Sequence, residues 1–155
     1  GAVTGMAGED TPTGSGRMET TGERRGNHNG TGAVTEDSGF RNLYVWREGK
    51  ALAVHVYLLT QTGPFAEDRS FRDQLRRSAV RIPANIAEGD EHGRLKDTLR
   101  SLYAAKAALA KLWTQLEIAY EIHYVDDEAM EELSQRCRKL RRMLSGLIQS
   151  RTPVQ

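Results

Sequence analysis

From Phe40 onward, apolar residues recur every three or four positions, a spacing that places them on one face of an α-helix. No segment of this region alternates apolar and polar residues in the way a half-buried strand does. Pro83 is the only proline that falls inside a periodic segment. The pattern therefore predicts an all-α fold built from long amphipathic helices.

Turn and cap residues divide the periodic region into four predicted helices. They run from about residue 42 to 61, from 68 to 88, from 94 to 122, and from Asp126 or Asp127 to just before Thr152. Asn42 and one of the two aspartates are suitable N-caps, and Gly63–Pro64 ends the first helix. Short connections between long helices predict an antiparallel up-down four-helix bundle.

The first predicted helix carries apolar residues on two nearly opposite faces. One face holds Leu43, Trp46, Ala53, Val54 and Tyr57, and the other holds Val45, Leu52, Val56 and Leu59. A helix at the periphery of a bundle needs one apolar face, so the second face predicts contact with another subunit. We assign that contact to Val45, Leu52, Val56 and Leu59. The alternative is a single wide apolar face that the helical projection divides in two.

Residues 1–39 differ sharply from the rest of the chain. They contain ten of the fifteen glycines and no Leu, Ile, Phe, Tyr or Trp, so they have little apolar surface to bury. They also lack the basic and apolar regions of a secretory signal. We expect a flexible tail over residues 1–39, part of it vector-derived because the chain starts with Gly1, and a folded domain over residues 40–150. The tail has net charge −3 and the remainder +4.

Composition limits the classes of function. The 155 residues suit one domain, 38% are hydrophobic and 28% are charged, and no run approaches the roughly 18 apolar residues of a membrane span. We expect a cytoplasmic protein without membrane association. The histidines lack metal-ligand spacing, and the single cysteine, Cys137, lies in the apolar seam of the fourth helix. The sequence therefore predicts no catalytic residues, metal or cofactor.

Basic residues cluster on the second and fourth predicted helices. The candidate nucleic-acid-binding residues are Arg72, Arg76, Arg77, Arg81, Arg138, Lys139 and Arg142. Arginine can contact phosphate oxygens with two parallel hydrogen bonds, which makes such clusters suitable for nucleic acid. The alternative is that these charges only solvate the outer helix faces or offset a helix dipole.

A family resemblance rests on the run from Asp73 to Gly89, which reads DQLRRSAVRIPANIAEG. With the segments 40–46, 102–109 and 113–116, it resembles the bacterial four helix bundle protein family, including proteins encoded in intervening sequences of large-subunit ribosomal RNA genes. That family is also related to accessory variability proteins of diversity-generating retroelements. The resemblance implies a four-helix bundle, a homopentamer and nucleic-acid association, and it implies no catalytic residues.

The motif in the second helix has a structural interpretation. Pro83 removes one backbone donor and predicts a kink, which the side chain of Asn85 or Ser78 can help to satisfy. Glu88 is placed to pair with an arginine, and Gly89 suits a left-handed C-cap. The alternative is a groove at the kink, with Asn85 and Glu88 facing a partner.

These observations predict a non-enzymatic, homo-oligomeric protein that associates with RNA or DNA, as an accessory of an RNA–protein complex. The alternative is a scaffold that binds a protein, for example a reverse transcriptase, without contacting nucleic acid itself.

Overall fold

The computed structural model describes residues 39–154 and consists of helices joined by short turns. A 3-10 turn at Phe40–Asn42 precedes α1 (Tyr44–Leu59), a single-turn α2 (Pro64–Glu67), α3 (Arg69–Glu91), α4 (Leu95–Glu121) and α5 (Asp127–Arg151). No strand occurs in this part of the chain. The four long helices are those that the apolar periodicity predicts, and the all-α four-helix bundle is confirmed.

The long helices pack in chain order around a common core. α3 packs extensively on both α1 and α4, and α5 closes the bundle by contacting α4 and α1. Within the described residues, α3 does not contact α5 and α1 does not contact α4, so each of these pairs is diagonal. Every long helix supplies fully buried side chains to the core, among them Leu52, Leu75, Ile82, Leu109, Leu112, Leu116, Leu133, Leu140 and Leu144.

Two helix starts have side-chain caps. The carboxylate of Asp126 accepts a 2.8 Å hydrogen bond from the amide of Ala129, so Asp126, not Asp127, caps α5. Asp68 caps α3 by accepting from the amide of Phe71, and its other oxygen accepts from the hydroxyl of Tyr124. The predicted cap at Asn42 is wrong, because Asn42 belongs to the 3-10 turn and α1 begins after Leu43.

Gly89 is not a C-cap, contrary to the prediction. The α3 helix continues through Pro83 and Gly89 to Glu91, and Gly89 does not have a positive φ. It is buried against α4, where an added Cβ would lie 3.3 Å from both the Cβ of Ser101 and the carbonyl oxygen of Thr98. Gly89 is therefore needed for the close approach of two helices, and not for a turn.

The second apolar face of α1 is part of the core, which corrects the predicted subunit contact. Val45, Leu52 and Val56 are 6%, 1% and 0% exposed, and the half-buried Leu59 packs against the same core. They face α3 and α5 within one chain, so they are not available to a second subunit. The exposed apolar residues of α1 belong to the opposite side, where Val54 and Leu58 are 50% and 59% exposed.

No helix of residues 39–154 is long and apolar enough to cross a membrane. The predicted flexible tail lies outside the described residues, apart from Gly39.

Candidate nucleic-acid interface

The structure separates the predicted basic residues into two surfaces. Four of them lie on α3 and three on α5, which are diagonal helices of the bundle. Residues that point outward from diagonal helices face different sides of the molecule. The seven residues therefore do not form one continuous site on a single chain.

Two of the α3 arginines are engaged in contacts within the chain. The guanidinium of Arg72 lies 3.2 Å from the carboxylate of Asp73. Arg76 donates to the hydroxyl of Thr60 at 2.9 Å and to the carbonyl of Tyr57 at 3.4 Å, and it lies 4.5 Å from the centre of the Tyr57 ring. Arg76 thus joins α3 to the end of α1, which is a structural role.

The other two α3 arginines border a groove between α3 and α4. Arg77 and Arg81 line it from α3, and Lys111 lines it from α4. Their charged groups have no hydrogen bond, ion pair or ring contact to any residue of the described part of the chain. We call this cavity the α3–α4 groove.

On α5, the contacts of two basic residues show how the helix is oriented. The amine of Lys139 lies 3.2 Å from the carboxylate of Glu48 on α1, and the guanidinium of Arg141 lies 5.0 Å from the ring centre of Trp113 on α4. Arg138 and Arg142 lie between these two sides, one helical turn apart, and both are exposed. We call this basic outer surface the α5 ridge; it consists of Gln135, Arg138, Lys139, Arg141 and Arg142.

The two central arginines of the α5 ridge have no acidic side chain paired with them in residues 39–154. Within residues 39–154, neither Arg138 nor Arg142 has an ion-pair partner, since the nearby ion pairs of α5 involve Arg136 and Lys139. Two arginines at positions i and i+4 present their guanidinium groups on the same face of a helix. This arrangement can hold successive phosphate groups of a nucleic-acid backbone.

The motif residues of α3 have mainly internal partners. The side-chain amide of Asn85 donates to the carbonyl of Arg81 at 2.8 Å, not to that of Ala79, which loses its partner at Pro83. Glu88 lies 3.7 Å from the ring of His92 and does not pair with an arginine, contrary to expectation. Asn85 also lines the α3–α4 groove, so the alternative that it faces a ligand stays a prediction.

Sequence reasoning missed Lys111 and did not assign Arg141 to the site. Lys111 joins Arg77 and Arg81 only because α3 and α4 run antiparallel at a particular register, which a one-dimensional pattern does not show. Arg141 follows Leu140 of the apolar seam and therefore lies beside the outer face, a position that the helical projection does indicate.

The cysteine is unsuited to nucleophilic chemistry. Burial raises the pKa of the Cys137 thiol to about 12, with neighbouring Arg138 opposing part of that rise. A thiol with such a pKa carries almost no thiolate at neutral pH. Residues 39–154 also contain no group of three His, Cys, Asp or Glu side chains placed to hold a metal ion.

The fold and its surface define the chain as a small all-α bundle protein with basic outer helices. The chain belongs to the 23S rRNA-intervening sequence protein family, which its residues 41–146 match. This confirms the resemblance carried by the α3 motif, while the relation to retroelement accessory proteins stays a prediction.

A solved structure shares the fold. It is the crystal structure of a protein with unknown function from the S23 ribosomal protein family of Bacteroides thetaiotaomicron, with a TM-score of 0.63 and 20% sequence identity. The similarity covers 68% of this chain and 95% of that chain. No curated protein gives a significant match to the sequence. The family and the fold are thus defined, and the biochemical role has to be argued from the surface.

Proposed function

We propose that this protein is a non-enzymatic nucleic-acid-binding protein that acts as a homo-oligomer, with the α5 ridge as its main phosphate-contacting surface. The single observation that carries the proposal is the pair Arg138 and Arg142, exposed one turn apart with no acidic partner in the described chain. The membership of a family connected with ribosomal RNA intervening sequences supports nucleic acid as the partner.

The character of the binding follows from the chemistry of the ridge. Arginine and lysine contact phosphates, which carry no sequence information, and each contact releases condensed counterions. Exposed aromatic side chains that stack on bases are not part of the ridge, whose lining is Gln135 and four basic residues. We therefore expect weak binding to both RNA and DNA, roughly micromolar near physiological salt, with little dependence on sequence and a steep dependence on ionic strength.

Charge reversal on the ridge tests this surface. The double variant Arg138→Glu with Arg142→Glu should abolish binding to a labelled RNA oligonucleotide in fluorescence anisotropy at low salt, because four units of charge change where phosphates would lie. Lys139 is left intact because it pairs with Glu48. The fold does not depend on the two arginines, so the far-ultraviolet circular dichroism spectrum should be unchanged.

The matched control reverses two exposed basic residues elsewhere. Lys96 and Arg100 lie one turn apart on α4, and their reversal to glutamate changes the net charge by the same amount. It should weaken binding much less. Equal losses from the two double variants would mean that net charge alone drives association, and an unchanged affinity after reversal on the ridge would overturn the proposed surface.

The outer face of α1 is the surface through which we expect copies of the chain to associate. Ala51, Val54 and Leu58 are exposed there and, with half-buried Trp46, supply the apolar part of one shallow cavity of about 370 Å³, which Arg47, Lys50, His55 and Arg136 also line. Apolar side chains grouped on one face are costly to leave in water, and a second copy of the chain would cover them. Ala51, Val54 and Leu58 do not belong to the bundle core, whereas Trp46 packs against it.

A single substitution on that face tests the assembly. We expect the wild-type protein to elute as an oligomer in size-exclusion chromatography with light scattering, with a mass well above the 17.3 kDa of one chain. Val54→Glu should shift it to monomers without loss of helicity, because the new carboxylate would have to be desolvated at the contact, a cost that neighbouring Lys50 offsets only in part. Ile118→Glu, at a similarly exposed apolar residue of α4, should leave the assembly intact.

The same measurement separates the proposal from a protein-binding scaffold. A wild-type monomer that binds no oligonucleotide would contradict both parts of the proposal. The outer face of α1 would then be assigned to a protein partner, for example a reverse transcriptase.

A further inference from the structure

The α3–α4 groove is distinct from the α5 ridge in position and in the helices that line it. It consists of two adjoining cavities of about 310 and 290 Å³ between α3 and α4, while the depression of about 480 Å³ on the ridge is lined by residues of α5 alone. Its lining from α4 includes three alanines, Ala104, Ala107 and Ala108. Short side chains on α4 leave open space between the two helices, which longer side chains would fill.

The polar part of the groove lining consists of cationic, amide and hydroxyl groups and contains no carboxylate. Arg81 and Lys111 line both of its adjoining cavities, Arg77 lines one of them, and the side-chain amides of Gln74 and Asn85 lie at the two ends. None of the three cationic groups has a partner within the described residues. Three unneutralised cations that line one concave space favour an anion there.

The hydroxyl of Ser78 is a further hydrogen-bonding group that lines the groove. Ser78 is 3% exposed and lines both cavities, and its hydroxyl has no hydrogen-bond partner within residues 39–154. A serine inside a helix usually satisfies its hydroxyl at a carbonyl of the preceding turn or in water. The oxygen of Ser78 is open to the groove, since the fully buried side-chain N and O atoms without a partner in residues 39–154 are Trp113 Nε1 and Gln115 Oε1, so a ligand in the groove can accept its hydrogen bond.

We propose that the α3–α4 groove is a binding site for a phosphate monoester, held by Arg77, Arg81 and Lys111 and by the hydroxyl of Ser78. A phosphate monoester has up to two negative charges and three terminal oxygens on one atom, which matches several donors around a small cavity. A run of phosphodiesters instead has one charge per phosphate along a line, which suits the α5 ridge. The groove site goes beyond the proposed function and does not require it.

A glutamate placed in the groove tests the site without removing any of its ligands. Ala107 is exposed on α4 and lines the groove, and in Ala107→Glu the new carboxylate lies one turn before Lys111, where it pairs with the lysine. Ala110→Glu is the matched control, because it introduces the same charge three residues later at an exposed position outside the groove lining. Both substitutions keep a good helix former, so both proteins should fold.

The probe is inorganic phosphate, titrated calorimetrically into the full-length protein at low ionic strength. We expect one phosphate per chain for the wild type and for Ala110→Glu, and at least a tenfold weaker affinity for Ala107→Glu, in line with the loss of about one charged hydrogen bond. Ser78→Ala should weaken binding severalfold. Absence of phosphate binding by the wild type, or equal affinities of the two glutamate variants, would overturn the site.

A second arm identifies the source of the phosphate. Two RNA oligonucleotides of the same sequence, one with a 5′-phosphate and one with a 5′-hydroxyl, are compared in the Arg138→Glu, Arg142→Glu background, where the ridge is disabled. A 5′-phosphate preference that Ala107→Glu removes assigns the site to nucleic-acid ends. Equal binding of the two oligonucleotides, together with calorimetric binding of phosphate, assigns it to a small phosphorylated molecule. Because the calorimetric arm contains no nucleic acid, failure of the groove and failure of the ridge are distinguishable.

Discussion

The α3 and α5 helices carry similar basic sequences, and the bundle uses them differently. On α3, Arg72 forms an ion pair with Asp73, and Arg76 contacts Thr60 and Tyr57. Arg77 and Arg81 border the α3–α4 groove. On α5, Arg138 and Arg142 stay exposed on the outer surface of a single helix.

The difference follows from the neighbours of each helix. α3 packs extensively on both α1 and α4, so side chains at the edges of its inner face meet another helix. α5 contacts α1 less extensively than it contacts α4. In the described chain, one ion pair joins α5 to α1, between Lys139 and Glu48. A run of arginines in a sequence is therefore evidence of a binding surface only where packing leaves the guanidinium groups without partners.

The largest effect that we expect concerns the two sides of α5. Arg138 faces solvent, while the adjacent Cys137 is buried. Burial raises the pKa of the Cys137 thiol from 9.0 to about 12. At pH 8 the thiolate fraction of the native protein should be about a thousandfold below that of the unfolded chain, because each pKa unit is a factor of ten. Labelling with a thiol-specific disulfide reagent should accordingly be very slow in buffer and fast in denaturant.

The same pKa gives a direction for stability at high pH. Above about pH 9 the unfolded chain loses the thiol proton while the native protein keeps it, so the free energy of unfolding should fall between pH 9 and 12. Cys137→Ala should show a smaller fall over this range. Rapid labelling of native protein at pH 8 would show that α5 opens locally, against its close packing on the core.

A glycine comparison tests the packing difference directly. Gly89 of α3 is pressed against α4, whereas nothing lies within 4 Å of the position where a Cβ of Gly146 on α5 would be. Gly89→Val should lower the free energy of unfolding by about 1–3 kcal/mol because the added atoms overlap α4. Gly146→Ala should raise it by about 0.5–1 kcal/mol because alanine favours the helix.

Urea unfolding followed by circular dichroism measures both changes. A neutral Gly89→Val would show that α3 and α4 separate easily, and it would remove the reason given for a glycine in this motif. If Gly146→Ala lowers the free energy of unfolding, the outer face of α5 must make a contact outside the described chain, such as a subunit contact.

The smallest expected effect distinguishes an engaged arginine from a free one. Arg76→Ala should cost about 1–2 kcal/mol, since it removes the hydrogen bond to Thr60 and the ring contact with Tyr57. Arg142→Ala should change stability by less than about 0.5 kcal/mol, as is usual for surface positions. In oligonucleotide binding the order should reverse, with Arg142→Ala weakening affinity more than Arg76→Ala. A similar stability cost for the two variants would contradict the distinction drawn between the helices.

Much of the fold could be predicted from local patterns. The apolar spacing identified α1, α3, α4 and α5, and the seam of α5 at Leu133, Cys137, Leu140 and Leu144 is buried as expected. Local capping chemistry limited the N-cap of α5 to Asp126 or Asp127, and the structure shows that it is Asp126. The failures at Asn42 and Gly89 arose because several residues near a helix end can cap it, and because glycine serves both turns and close helix approaches.

The candidate site was less predictable. The sequence placed seven basic residues on two helices, and their role in nucleic-acid binding stays a prediction. Arg72 pairs with the adjacent Asp73, but the partners of Lys139 and Arg76, Glu48 and Thr60, are distant in the chain. The α3–α4 groove depends on alanines of α4 lying opposite Ser78, 26 to 30 residues earlier in the chain. No local pattern contains that register.

The sequence by itself determined that this chain forms an all-helical bundle, because helical periodicity, caps and turn residues are local features that act over about 20 residues or fewer. Only the tertiary structure decided which apolar residues of α1 are buried and which are exposed, since both faces are apolar and burial depends on the helices packed against them. It likewise decided which arginines stay free to meet a phosphate, because neutralisation of a charge is a property of its neighbours in space.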